Sequence, residues 1–223
     1  MNKILVVAAH PDDETLGCGG TLKKLSSKFN ISVCFLTSGA ESRNNKNRNV
    51  NLDQKKLISQ SKVATKILGC KNQIFLDLKD NELDGYTLLT IVKKIENVIL
   101  SIKPQIIFTH FSGDLNVDHQ ITSRATVTAA RPVQNNSFLK KIIFFETLSS
   151  SEWTMNERFK PNLYVDISKE IRSKIKALKA YKSEIRKFPH PRSTKAVIAL
   201  SNLRGSEVSV NHAEAFQIFR AVE

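Results

Sequence analysis

Two short segments of this 223-residue chain crowd imidazoles and carboxylates closely enough to share one chemical task. The first reads Ala9-His10-Pro11-Asp12-Asp13-Glu14, an imidazole and three carboxylates in five residues. Packed together without a cation these groups would repel and desolvate one another, so water or a metal must compensate them. In the functional reading His10 and Asp13 are metal ligands, Asp12 stays free beside the metal as a general base, and Pro11 stiffens the turn. The competing reading is a turn in which Asp12 or Asp13 caps the following helix and Glu14 complements its dipole.

The second segment reads Asp114-Leu115-Asn116-Val117-Asp118-His119. His119 supplies a third ligand here, with Asp118 orienting or electrostatically supporting the cluster; the alternative is a surface histidine. Two histidines and an aspartate are a set that catalytic zinc uses, with water in the fourth position. Iron or another divalent ion suits the same ligands. His110 and Asp114 are further polar candidates. A bound metal lowers the pKa of water from about 15.7 towards roughly 7, Asp12 takes its proton, and a nearby cation or donor stabilises the oxyanion. Such an arrangement would meet the needs of amide hydrolysis. A serine or cysteine nucleophile is disfavoured, because no Gly-x-Ser-x-Gly elbow occurs and neither Cys18 nor Cys34 has a sequence-evident histidine base.

To meet, the two segments must follow neighbouring strands, since open α/β sheets gather their chemistry at the carboxyl ends of strands. Strand-like runs do precede both: Lys3 to Ala9 and Gln105 to Thr109. Further strands are expected at Ile31 to Leu36, Gln73 to Leu78, Lys141 to Glu146 and Leu163 to Ile167. Helices are expected from about Thr15 to Ser27, Asp53 to Leu68, Tyr86 to Ser101 and His119 to Ala130, with a long basic one from Ser168 to about Lys187. The alternation predicts an α/β fold, a Rossmann-like three-layer sandwich with a mostly parallel central sheet, as a single domain over residues 1–223. Thr37 to Val50, rich in asparagine, reads as a long polar loop and a candidate substrate lid.

Composition agrees with a globular protein, at 41% hydrophobic and 25% charged residues. The net charge of +13 keeps a nucleic-acid binder as the rival class. Against it, the lysines are spread along the chain in pairs, although Arg172 to Arg192 is denser, either a solvated face or an anion-facing patch. No apolar run approaches the roughly 20 residues of a membrane span, and the start of the chain lacks signal-peptide regions. A cytoplasmic location is expected. Cys18, Cys34 and Cys70 have no metal-like spacing and are read as reduced and mostly buried.

The segment Ala9 to Glu14, followed much later by Asp118-His119, resembles the PIG-L or LmbE-like zinc-dependent N-deacetylase family over most of the chain. The resemblance implies zinc on His10, Asp13 and His119, with Asp12 as base. It also implies a substrate contact at Arg43 and a pocket-lining role for Asp80. One position departs: well-known members carry a histidine where this chain has Asn116, which can donate a hydrogen bond but can neither carry charge nor transfer a proton as imidazolium does. A replacement is sought in Phe188-Pro189-His190-Pro191-Arg192-Ser193, where His190 is expected to enter the site and Arg192 to bind an anionic part of the substrate. The polysaccharide-associated branch of the family shares this element, which implies a small N-acetylated sugar as partner, a nucleotide sugar or glycan precursor. An N-acetylglucosaminyl thiol-cofactor precursor, or a zinc-holding protein without turnover, are the alternatives. Association into a homo-oligomer is left open.

Overall fold

The computed structural model describes residues 2–39, 50–132, 137–154 and 157–222. Seven strands form one sheet: β1 (Asn2–Ala8), β2 (Phe29–Thr37), β3 (Asn72–Leu78), β4 (Ile106–His110), β5 (Lys141–Phe145), β6 (Leu163–Asp166) and β7 (Ala213–Ala221). Their order is β3-β2-β1-β4-β5-β7-β6, parallel throughout except for β7, which runs antiparallel to both its neighbours. Residues Ile4 to Ala9 are wholly buried, as expected of a central parallel strand covered on both faces, and this is why its sequence is continuously apolar rather than alternating.

The alternation is visible instead in what each residue packs against. Leu5 and Val7 join Ile107 and the helices α3 (Leu88–Ile102) and α4 (Val117–Ala129). Ile4, Val6 and Ala8 face the other way, towards α1 (Asp13–Leu25), α2 (Val50–Leu68) and α5 (Ile171–Ala180). The chain leaves β1 for one face and β4 for the other, so the topological switch lies between these two strands, where ligands of such sheets bind. Among the described residues no helix is long and apolar enough to cross a membrane.

Helix α1 lies close on the sheet. A Cβ at Gly17 would sit 2.2 Å from the Phe145 ring and one at Gly20 would sit 2.8 Å from Ile167. The helix is broken at Cys18 (φ −141°, ψ 15°), which frees backbone groups on both sides of the break. A buried ion pair takes them up. Lys174 Nζ donates to Leu16 O (2.8 Å), Glu214 accepts from the N–H groups of Gly20 (2.8 Å) and Thr21 (2.7 Å), and the two side chains meet at 2.6 Å.

The carboxyl-terminal third departs most from the sequence reading. The basic helix expected over 168–187 is the shorter α5, and its Lys174 is buried rather than solvated. It stops because the Tyr181 ring turns into the core and gives its hydroxyl to Glu14 (2.7 Å). Beyond it lie two unforeseen elements, α6 (Thr194–Ser206), capped by Ser193 Oγ on Ala196 N, and strand β7. The apolar face of α6 is weak in sequence, since its buried residues are Val197, Ser201 and Gly205.

Removing one partner of a buried, hydrogen-bonded ion pair leaves an unpaired charge and costs about 3–5 kcal/mol. Glu214→Ala is therefore expected to lower the unfolding free energy by about that amount, read from the urea midpoint. A loss below about 1 kcal/mol, the worth of an exposed pair, would contradict the splice described for α1.

Candidate metal and catalytic site

The two polar segments meet at the switch between β1 and β4. Asp13 stands at the start of α1, fully buried, with its Oδ2 at 3.2 Å from His10 Nδ1, 3.3 Å from His119 Nε2 and 3.4 Å from His110 Nε2. His119 lies in the first turn of α4, whose cap is Asn116, the Oδ1 of which accepts from His119 N (3.2 Å). One ligand atom each from His10, Asp13 and His119 falls within 4.8 Å of the others, a spacing able to hold a metal ion.

The far side of each imidazole meets a second carboxylate. His10 Nε2 is 3.0 Å from Asp118 Oδ2, and His119 Nδ1 is 3.1 Å from Asp114 Oδ1. Such outer carboxylates fix the tautomer and orientation of metal-binding histidines, leaving His10 Nδ1 and His119 Nε2 turned towards Asp13. The carboxylates are themselves anchored. Asp118 accepts from the backbone N–H groups of Asn81 (2.8 Å) and Leu83 (3.1 Å), while Asp114 accepts from Ser150 (3.1 Å) and Ser151 (2.6 Å). Two atoms at the centre, Asp13 Oδ1 and His119 Nε2, are buried and make no hydrogen bond among the described residues. His10, Asp80 and Asp118 form a second possible grouping, but Asp118 already uses its oxygens on backbone donors.

The electrostatics ask for positive charge. Burial disfavours ionisation of Asp13, yet His119 and His110 beside it and the hydrogen bond from His10 hold its carboxyl well below the usual range. Burial likewise opposes a charged His10, but Asp118 and Asp13 raise it to about 10. His110 differs: burial and the neighbouring His119 push it down to about 4, and its Nε2 accepts the N–H of Ala9 (3.0 Å). It stacks on His119 with ring centroids 3.9 Å apart, a neutral wall of the site.

Asp12 occupies the helix-cap position of α1 without making a cap hydrogen bond through its side chain. Its φ of 118° lies in a region that costs a non-glycine residue on the order of 1–3 kcal/mol. Glu14 holds that conformation: Oε2 accepts Asp12 N (3.1 Å), while Oε1 accepts Thr15 Oγ1 (2.6 Å) and Tyr181 OH (2.7 Å). Burial pushes the Asp12 carboxyl up, and Arg192 opposes the shift, its Nη1 lying 3.3 Å from Asp12 Oδ2. Above these residues opens a polar cleft of about 220 Å³ whose lining includes His10, Asp12, Asp80, Asn116, Glu184 and Arg192.

A family model described as PIG-L, GlcNAc-PI de-N-acetylase, matches residues 5–130, which span both polar segments. The chain belongs to the PIG-L family. It is 29% identical over 192 residues to the diacetylchitobiose deacetylase of Thermococcus kodakarensis, covering 82% of this chain and 70% of that one. It is 27% identical over 187 residues to a Bacillus cereus protein named as a probable N-acetyl-alpha-D-glucosaminyl L-malate deacetylase, covering 81% and 83%. Its fold is shared with the N,N'-diacetylchitobiose deacetylase of Pyrococcus horikoshii, at a TM-score of 0.81 and 20% identity over 98% of this chain and 84% of that one.

Within this PIG-L chain the structure brings together His10, Asp12, Asp13, Asp80, Asn116, Asp118, His119 and Arg192, while Arg43 lies outside the described residues. His190 does not join them: it is exposed, it is not among the residues that line the cleft, and its Nδ1 accepts the Arg192 backbone N–H (3.0 Å). It shapes the turn that aims Arg192, and Arg192 is the side chain that reaches Asp12. The sequence reading left Asp114 without a task and passed over Glu14–Tyr181, Glu184 and the serines at 149–151. Those serines follow β5 directly, so their place at a strand's carboxyl end was the available signal.

Loss of such an outer carboxylate typically weakens metal binding about 10- to 100-fold. Asp114→Asn and Asp118→Asn are each expected to do so, measured by competition for zinc with a chromogenic chelator. Unchanged affinity in both would contradict the orienting role.

Proposed function

We propose that this PIG-L chain is a metal-dependent hydrolase that removes the N-acetyl group from an amino sugar. The observation that carries the reading is a pair of buried atoms without a hydrogen bond among the described residues, Asp13 Oδ1 and His119 Nε2, at the focus of a cluster that draws positive charge. Buried polar groups are nearly always satisfied, and a divalent cation held by His10, Asp13 and His119 satisfies both. Zinc suits two imidazoles and a carboxylate, and other divalent ions share that preference. When bound, such an ion polarises a carbonyl and makes water acidic enough to act as a nucleophile near neutral pH.

The chain's own groups do the proton work. Asp12, fixed by Glu14 and opening on the cleft, accepts the proton of the attacking water and returns it to the amine nitrogen as the C–N bond breaks. Asp118 and Asp114 keep the two imidazoles turned inward. Asp80, Asn116 and Glu184 offer acceptors and an amide for sugar hydroxyls, and Arg43 is assigned to the substrate by resemblance to the family.

The named activities of the relatives, on diacetylchitobiose and an N-acetylglucosaminyl malate, favour an N-acetylglucosamine unit as the group bound. The cleft bounded by the described residues, at about 220 Å³, is below the roughly 300 Å³ at which drug-sized pockets begin, and so suits one sugar ring. In a nucleotide sugar or glycan precursor the remainder would lie outside, away from the carboxylates of Asp12, Asp80 and Glu184.

The test is acetate release from N,N'-diacetylchitobiose, N-acetylglucosamine and a uridine diphosphate sugar by the zinc-loaded protein. Release from at least one is expected, abolished by stripping the metal and lowered about 10²- to 10⁴-fold in Asp12→Ala, the range for a lost general base. Full metal occupancy with no release from the panel, or an Asp12→Ala variant as active as the parent, would overturn the reading.

A further inference from the structure

Asn116 leaves a chemical gap. Its Oδ1 is committed to the N–H of His119, so its amide nitrogen alone remains for the cleft, a neutral donor. Amide hydrolysis develops a full negative charge on the carbonyl oxygen, and a preorganised cation or donor there is often the largest single contribution to rate. Among the residues lining the cleft, Arg192 brings a permanent positive charge.

Arg192 is built in rather than laid on the surface. Its side chain is 25% exposed, Nε donates to Ser149 Oγ at 3.0 Å, and Nη1 lies 3.3 Å from Asp12 Oδ2 and 3.8 Å from Glu184 Oε2. Ser193, the next residue, caps α6, and the backbone N–H of Arg192 is held by His190. The guanidinium is thus fixed from both sides of its own backbone before any ligand arrives. Nη2 makes no hydrogen bond among the described residues, so the fork keeps donors for a ligand. A water within hydrogen-bond reach of Asp12, about 3 Å, attacks a carbonyl carbon about 3–3.5 Å further on. Arg192, 3.3 Å from the same Asp12, lines the cleft in which that carbonyl must lie.

We infer that Arg192 is a catalytic residue, the cation that stabilises the tetrahedral oxyanion in place of the charged group that Asn116 cannot supply. The inference rests on the deacetylase reading above. Water oxygen bonds to the acetyl carbon as its proton passes to Asp12, and the carbonyl π pair moves onto oxygen, where Arg192 receives the charge. On collapse that pair re-forms the carbonyl, the C–N bond breaks towards nitrogen, and the Asp12 proton follows it, giving the free amine and acetic acid, which loses its proton to solvent as acetate. Glu184 and Ser149 are positioning residues that hold the guanidinium.

Two readouts on the zinc-loaded protein test this. Steady-state kinetics on N,N'-diacetylchitobiose should give Arg192→Ala a kcat about 10²- to 10³-fold down, the range for one lost oxyanion donor, with KM within about threefold, and Arg192→Lys an intermediate value. Installing Asn116→His in the Arg192→Ala background should recover at least about tenfold of kcat, which a merely structural arginine would not allow. Calorimetry with methylphosphonate, a tetrahedral anion, should show at least about tenfold weaker binding to Arg192→Ala, with zinc content and circular dichroism unchanged, and no comparable change for neutral acetamide. Because the phosphonate measurement needs no turnover, it decides the role of Arg192 even where no sugar releases acetate, an outcome that counts against the substrate reading instead. Methylphosphonate binding equal in parent and Arg192→Ala, or a defect confined to KM, would overturn the inference.

Discussion

The structure turns on one buried carboxylate. Asp13 is fully excluded from water at the end of a parallel sheet, and three imidazoles crowd one of its oxygens while the other has no hydrogen-bond partner among the described residues. An isolated charge there would cost several kcal/mol or more, so the neighbourhood must supply compensating charge. It does so in layers. Imidazoles face Asp13, carboxylates face the imidazoles, and backbone N–H groups and hydroxyls face those carboxylates. His10 and His119 oppose the charge of Asp13, Asp118 and Asp114 oppose theirs, His110 stands by as a neutral wall, and the outermost layer is made of neutral dipoles already paid for by the fold.

That layering explains what could be read in the sequence and what could not. His10, Asp12 and Asp13 lie within four residues after an apolar run, so their proximity is covalent and their setting follows from strand polarity. His119 needed only the expectation that β4 pairs with β1, which short apolar runs and right-handed crossovers make natural. The partner of each imidazole was another matter. Asp118 and Asp114 are both close in sequence to His119, yet Asp118 serves His10 and Asp114 serves His119. A helix sends successive side chains about 100° apart, so adjacent residues must face different neighbours, but the sequence does not say which neighbours.

The carboxyl-terminal third was misread for a related reason. From Ser168 to Lys187 the charge pattern suggested one solvated helix, whereas Tyr181 ends it by burying its ring under Glu14 and Lys174 enters the core to meet Glu214. Both are tertiary contacts across more than a hundred residues or between elements whose pairing is not local, and such contacts override helix propensity. Strand β7 depends on the same kind of information, because it inserts antiparallel between β5 and β6, a place that the strand-helix alternation of a parallel sheet does not announce.

The match to the PIG-L family model ends at residue 130, and the division is physically meaningful. His10, Asp13 and His119 with their outer carboxylates all lie inside it, on β1, β4 and the segments that follow them, and only the serines that anchor Asp114 come from beyond. The groups that condition Asp12 come from beyond it: Tyr181 through Glu14 sets its backbone, and Arg192, steadied by Ser149 and Glu184, sets the charge beside it. The amino-terminal part therefore determines where a cation can be held. The carboxyl-terminal part determines what the carboxylate next to it can do. Asn116 leaves the first part with a neutral group at the α4 cap, and the second part, whose path from Tyr181 to Ser193 is irregular and free to carry side chains into the cleft, is where a fold of this kind can supply a charge.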